Sequence, residues 1–308
     1  MIAANLLAVT LLIGFAGGRW LAAAGWPRRA PRLAIAAWCV LLGAVVAGVA
    51  AVGITALLPV PPVVCALLLW CVHPDSPAAA LLLRVTGDAV AVGWAGAALT
   101  VAVRAGRLLR AQAGARRRHR EMLTLAGRPD TALGGTVIEH PLPAAYLAPD
   151  RRVVVTSGAL AQLNGAQLRA VLAHERAHAG GRHQLLLDMV RLAARALPVR
   201  LLRTAQEQIG RLVELRADDV ATRAHSRHVL ASALVSMAAP GPAPGGLVGA
   251  GGGDAAERVR RLLVPPPRLG AWATAAIGAA LGLVVLLPLV ALVLDDWWPS
   301  VVRCVWLG

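Results

Sequence analysis

The sequence predicts a mainly α protein, with multi-pass membrane helices carrying a small α+β domain on the cytoplasmic side. Three observations predict it. Of 308 residues, 57% are hydrophobic and the mean hydropathy is +0.64, too apolar for an ordinary soluble domain. Long apolar stretches recur toward both ends of the chain. The segment between them mixes short strand patterns with helical ones and holds most of the titratable side chains.

The apolar stretches come first. Ile2–Gly18 and Leu33–Leu58 carry no charge, Ala78–Val103 is interrupted only by Arg84 and Asp88, and Leu269–Leu294 is again uncharged. Each approaches or exceeds the roughly 20 residues that cross a bilayer. Membrane helices are therefore expected over about 2–21, 33–58 and 78–103, with a fourth over 269–294. Val60–Val72, broken by Pro61 and Pro62, is too short to span and reads as an outer-loop or re-entrant segment. No basic residue precedes Ile2 and no clear small-residue cleavage site precedes the second stretch. The first stretch thus reads as a membrane helix rather than a signal peptide.

Charge sets the expected orientation. The formal net charge is +15, and all 31 basic residues are Arg. Arg28, Arg29 and Arg32 separate the first two spans, and Arg104, Arg107, Arg110, Arg116, Arg117, Arg118 and Arg120 follow the third. The connection between spans two and three has no Arg, and Asp295-Asp296 open the final tail. The positive-inside rule then places 104–238 and a Gly/Pro linker with juxtamembrane segment (239–268) in the cytoplasm, and a short tail (295–308) outside. The Arg run adjoins a span and lacks interleaved aromatics, so anionic headgroups rather than nucleic acid are its expected partner. Cys65, Cys71 and Cys304 fall on the outer side, and no C-x-x-C is present, so the cysteines do not read as metal ligands.

The chemistry is concentrated in His174-Glu175-Arg176-Ala177-His178, an H-E-x-x-H run in an Ala/Leu-rich helix. At about 100° per residue, His174 and His178 share one helix face a turn apart and can bind one metal ion together. Glu175 stands beside them, where a general base for a metal-bound water belongs. Downstream, Glu214-Leu215-Arg216-Ala217-Asp218 again sets two carboxyl groups at i and i+4. Glu214 is the expected third ligand of a His₂Glu zinc site, and Asp218 the expected acceptor for the free N–H of a ligand histidine. In the longer H-E-x-x-H-x-x-G-x-x-H pattern the last ligand would fall at Gln184. His183 is one residue out of register and reads as a helix-start histidine or a support behind the site.

Around the motif, Thr136–His140 reads as a strand. Ala144–Ala148 and Arg152–Thr156 flank Pro149-Asp150 as a hairpin. Ala144, Ala145 and Tyr146 are the expected edge along which an extended peptide pairs. Asn164 is a good N-cap for the motif helix, with Gln167 completing a capping box and Gly180-Gly181 ending it. Helices are expected over Arg182–Ala196, Leu201–Arg223 and Ser226–Ala239. A flexible linker follows over Pro240–Gly253, and Arg258, Arg260 and Arg261 are expected at the membrane surface.

The order of T-S-G-A-L, A-V-L-A-H-E-R-A-H and E-L-R-A-D-D-V-A between apolar helices resembles the BlaR/MecR-type integral-membrane metallopeptidases. More distantly it resembles the HtpX and CAAX-prenyl-protease families. The resemblance runs from about Val137 to Met237 with the flanking helices. It implies a zincin-like domain in which His174, His178 and Glu214 hold zinc and Glu175 acts as general base. The antibiotic sensors of that type carry a large extracellular penicillin-binding domain. The sequence here reads as the protease core without it.

The expected activity is zinc-dependent hydrolysis of peptide bonds in a cytoplasmic protein, in regulatory signalling, with a transcriptional repressor as the candidate substrate. HtpX-like quality control of membrane proteins and a non-catalytic zinc-stabilised scaffold are the alternatives. His225 and His228, with Arg223 and Tyr146, are the expected sources of an oxyanion donor.

Overall fold

A computed structural model describes residues 2–57, 77–238 and 251–287. The segment Val60–Val72, Cys65, Cys71, Cys304, most of the Gly/Pro linker, and the end of the fourth span with its tail fall outside the described residues. The chain divides into two compact units, one of Met1–Ala24, Ala36–Ala105 and Gly270–Gly308, the other of Gly25–Ile35 and Gly106–Leu269. The protein is a mainly α membrane protein with a small α+β domain.

The first unit holds the apolar helices. A π-helical turn at Ile13–Gly17 joins α1 (Ile2–Leu12) to α2 (Gly18–Ala23). Next comes α3 (Pro31–Leu57), with proline at its first position, where a missing N–H costs nothing. Among the described residues, Asn5–Ala23, Pro31–Ile54 and Asp88–Ala126 are long and apolar enough to cross a membrane, and the helix Ala271–Leu287 is apolar but shorter. Leu11, Leu12, Phe15, Val46, Ile54, Val92 and Leu99 are exposed. In water such a surface is a liability, whereas hydrocarbon matches it. Helix α4 (Pro77–Ala126) runs for 50 residues and joins the expected third span to the Arg-rich stretch without a break. Ala, Leu and Arg are strong helix formers, and the next Pro after Pro77 is Pro129.

The second unit is built on a four-stranded sheet of order β1-β2-β4-β3. β1 (Gly127–Asp130) pairs antiparallel with β2 (Gly135–Ile138), β2 runs parallel to β4 (Val153–Thr156), and β3 (Ala145–Leu147) pairs antiparallel with β4. The expected hairpin around Pro149-Asp150 is β3–β4, with Arg151 in the left-handed region at φ 69°. β4 reads Val-Val-Val-Thr without alternation because both of its faces are covered. Val153 and Val155 join Val171, Leu172 and Ala233, while Val154 packs against Leu123 of α4.

Helix α5 (Ser157–Gln162) follows the sheet, capped by Thr156, whose Oγ1 accepts from the Ala159 N–H. The motif helix α6 (Gly165–Gly180) opens on the expected capping box. Asn164 Oδ1 accepts from the Gln167 N–H at 3.0 Å, and Gln167 Oε1 accepts from the Asn164 N–H at 3.0 Å. Such a cap contributes about 1 kcal/mol and fixes where the helical register begins. Helices α7 (His183–Ala196), α8 (Arg200–Ala221) and α9 (Arg227–Met237) come next. α10 (Gly251–Leu263) then occupies ground expected to be the end of the linker and a surface segment. Ala170, Ala221, Leu230, Ala231 and Leu262 form the core that fastens α6, α8, α9 and α10 together.

Candidate metal and catalytic site

At helical spacing Val171, His174, Glu175 and His178 fall on one face of α6, and all four line a cavity of about 420 Å³. Its other walls are β3, the helices α7 and α9, and Glu214 and Arg258. α8 packs against α6 and supplies the two carboxyl groups.

His174, His178 and Glu214 each offer a ligand atom, and these atoms lie within 4.8 Å of one another. His174 Nε2 is 3.2 Å from His178 Nε2 and 3.4 Å from Glu214 Oε2, and His178 Nε2 is 3.5 Å from Glu214 Oε1. On the far side of its ring, His174 Nδ1 donates to Asp218 Oδ1 at 2.9 Å. Asp218 is 1% exposed, so this bond fixes the imidazole with Nε2 toward the other two groups. Two imidazole nitrogens and one carboxylate converging in a partly buried pocket form a donor set that fits a divalent metal.

The electrostatics follow from burial and crowding. Burial works against the His174 imidazolium, but Asp218 and Glu214 outweigh it and raise the pKa to about 9. His178 is driven down to about 4 by burial, with the charges of His174, His183 and Arg258 adding to it. Burial also opposes ionisation of Glu214 and Asp218. His174 and Arg258 reverse that and hold both at about 2. For Glu175 burial prevails, and with the Glu214 charge it lifts the carboxyl to about 7 against the opposing pull of His174, Arg258 and the Leu147 N–H.

Arg258 is the site residue that the sequence did not point to. It reaches the site from α10 instead of lying at a membrane surface. Its Nε and Nη2 donate to Asp218 Oδ2 and Oδ1 at 2.9 and 2.7 Å, and its Nη1 lies 2.9 Å from Glu214 Oε2. One guanidinium thus orders both carboxylates, as a bidentate fork does. α10 is held by further pairs, Arg261 with Asp219 at 2.7 Å, Asp254 with Arg211 at 2.9 Å and Glu257 with Arg28 at 2.8 Å. The signal was present, since residues 254, 257, 258 and 261 recur at helical spacing on one face.

The expected edge residues divide. Ala145 and Tyr146 line the cavity with Leu147. Ala144 precedes β3 and is tied to Thr156, receiving its N–H and donating to its Oγ1, both at 2.9 Å. Residues 144, 146 and 148 face β4 in the ladder, so Ala145 and Leu147 turn their backbone groups toward the outer edge. The Tyr146 hydroxyl lies 3.3 Å from His119 Nε2 on α4. His225 and His228 are not among the residues lining this cavity, and neither is Arg223. The cations that do line it are Arg191, from α7, and Arg258.

The model of a family described as Peptidase family M48 matches residues 110–202, which take in the end of α4, the sheet, α6 and α7. No curated protein and no solved structure matches the chain. The match supports a zincin-like metallopeptidase, and the apolar helices make it a membrane-associated one. In chemical class the protein is a hydrolase of the metalloprotease kind.

Proposed function

We propose that the protein is a zinc metalloendopeptidase that cleaves a cytoplasmic protein substrate, in regulatory signalling, with its catalytic domain on the cytoplasmic face. The observation that carries the chemistry is the convergence of His174, His178 and Glu214 beside a half-buried Glu175 that titrates near neutrality. Zinc, held by those three residues, would polarise the scissile carbonyl and supply a nucleophile at neutral pH.

The remaining work falls to the chain. At a pKa of about 7, the Glu175 carboxyl accepts a proton from water at physiological pH and returns it to the leaving amine. Such a group typically contributes about 10²–10⁴-fold in rate. Asp218 keeps the His174 ring in one tautomer, and Arg258 keeps Glu214 ionised. The outward backbone groups of Ala145 and the Leu147 carbonyl offer an extended peptide a strand to pair with, alongside the motif helix. Val171, Leu234 and Met237 give the cavity an apolar end suited to a large aliphatic or aromatic side chain.

The order of motifs resembles the core of the BlaR/MecR type, and this favours a signalling role over broad quality control in the HtpX manner. A non-catalytic scaffold is disfavoured because a purely structural metal site has no use for Glu175. The test compares cellular protein N-termini in cells carrying the wild-type chain and Glu175→Gln, with zinc content measured on both proteins. We expect zinc to be retained and one or two termini to vanish. Many vanishing termini in membrane proteins would favour quality control, and none under envelope stress would leave the scaffold.

A further inference from the structure

His174 and His178 are ligand histidines on one helix, yet their outer nitrogens are held differently. His174 Nδ1 meets a carboxylate. His178 Nδ1 meets another imidazole, His183 Nδ1, at 3.1 Å. The two rings stand edge to face, with centroids 5.0 Å apart and planes at 88°. His183 is 6% exposed, so water does not compete freely for this contact.

We infer that His183 is a positioning residue for the metal site, accepting the Nδ1–H of His178 and thereby reserving the His178 Nε2 lone pair for the ion. This rests on the metallopeptidase reading. Tautomers decide the direction of the bond. A histidine that ligates through Nε2 carries its proton on Nδ1, so His178 is the donor. His183 Nδ1 then accepts, and its own proton sits on Nε2. His183 does not reach the ligand nitrogens themselves, because its contact is with the opposite side of the His178 ring.

The local chain is shaped for this contact. α6 ends at Gly180, Arg182 takes a left-handed conformation at φ 51°, and His183 begins α7. The reversal folds the His183 ring back over Gly181. A Cβ at residue 181 would lie 2.3 Å from His183 Nε2 and 2.6 Å from its Cδ2. Any side chain there pushes the ring off His178. The requirement for glycine at 181 comes from the His183 ring, since the backbone there is ordinary right-handed helix at φ −78°.

The test measures zinc affinity by chelator competition on the full chain in detergent, for wild type, His183→Phe, His183→Gln and Gly181→Ala. The His178 tautomer is read in parallel by nitrogen-15 spectroscopy of the metal-free protein. Removing a partner of this kind weakens metal binding by about 10–100-fold. We expect that loss in His183→Phe and Gly181→Ala, partial recovery in His183→Gln, whose amide oxygen can accept, and mixed His178 tautomers in the two weak variants. Helical content of the metal-free proteins separates this from misfolding, and Gly181→Ala keeps every polar group. Affinities within twofold of wild type, or a single unchanged His178 tautomer in His183→Phe, overturn the inference. A wild-type chain that binds no zinc overturns the metallopeptidase reading instead.

Discussion

Loading the site with zinc should release one proton from His174, and the affinity should depend on pH accordingly. In the metal-free protein His174 is charged up to about pH 9, while His178, at about 4, is already neutral. Two lone pairs therefore wait for the ion, and a third carries a proton. At pH 7 the gap to pH 9 is two units, which at about 1.4 kcal/mol each costs binding roughly 3 kcal/mol. The association constant should rise about tenfold per pH unit between pH 5 and 8, since one proton competes with the ion. Glu175 titrates inside that window and would add its own slope. The measurement therefore belongs on Glu175→Gln, where only His174 remains to report. Calorimetry in buffers of different ionisation heat counts the protons released, and chelator competition gives the affinity. An affinity independent of pH from 5 to 8, with no proton released, would refute the assignment of charge in this cluster.

Other outcomes follow from the same charges. Arg258→Leu strands Asp218 and Glu214 without their cation, and breaking a buried pair in this way should cost the metal-free protein about 3–5 kcal/mol. Thermal unfolding checks it, with zinc restoring part of the loss. The metal-free protein should also lose stability as pH rises. His174 has a folded pKa raised from 6.5 to about 9, so its contribution is complete below pH 6.5 and gone above pH 9. Glu175, raised from 4.5 to about 7, acts in the same direction between those values. A melting temperature that climbs from pH 6 to 9 in the presence of chelator would contradict both shifts.

The convergence of His174, His178 and Glu214 was legible because each half of it is local. His174 with His178, and Glu214 with Asp218, are i,i+4 pairs, and the Asn164–Gln167 box marks where the helical register starts. What escaped was set by partners distant in sequence. Gly127–Asp130 reads Gly-Arg-Pro-Asp, a turn by composition, and becomes a strand only by pairing with β2, at an edge where Pro129 is tolerated. Arg258 follows a Gly-rich stretch that reads as linker, and that composition masks the helical spacing of its charges. His183 was visible as a nearby histidine. Its contact with His178 depends on the reversal at Arg182, which spacing alone does not reveal.

The three-residue length of β3 has a consequence for the protein's own safety. An edge strand that offers its backbone to a passing peptide offers it equally to a neighbouring copy, and molecules confined to a membrane meet often. Long, flat edges recruit further strands and seed aggregates. Here the ladder stops at Ala145 and Leu147, Pro141, Pro143 and Pro149 interrupt the chain on either side, and the Leu147 N–H faces the Glu175 carboxyl. Few backbone groups remain for an intruding strand, too few to template a growing sheet. The same shortness leaves side-chain fit in the cavity to decide which peptide stays.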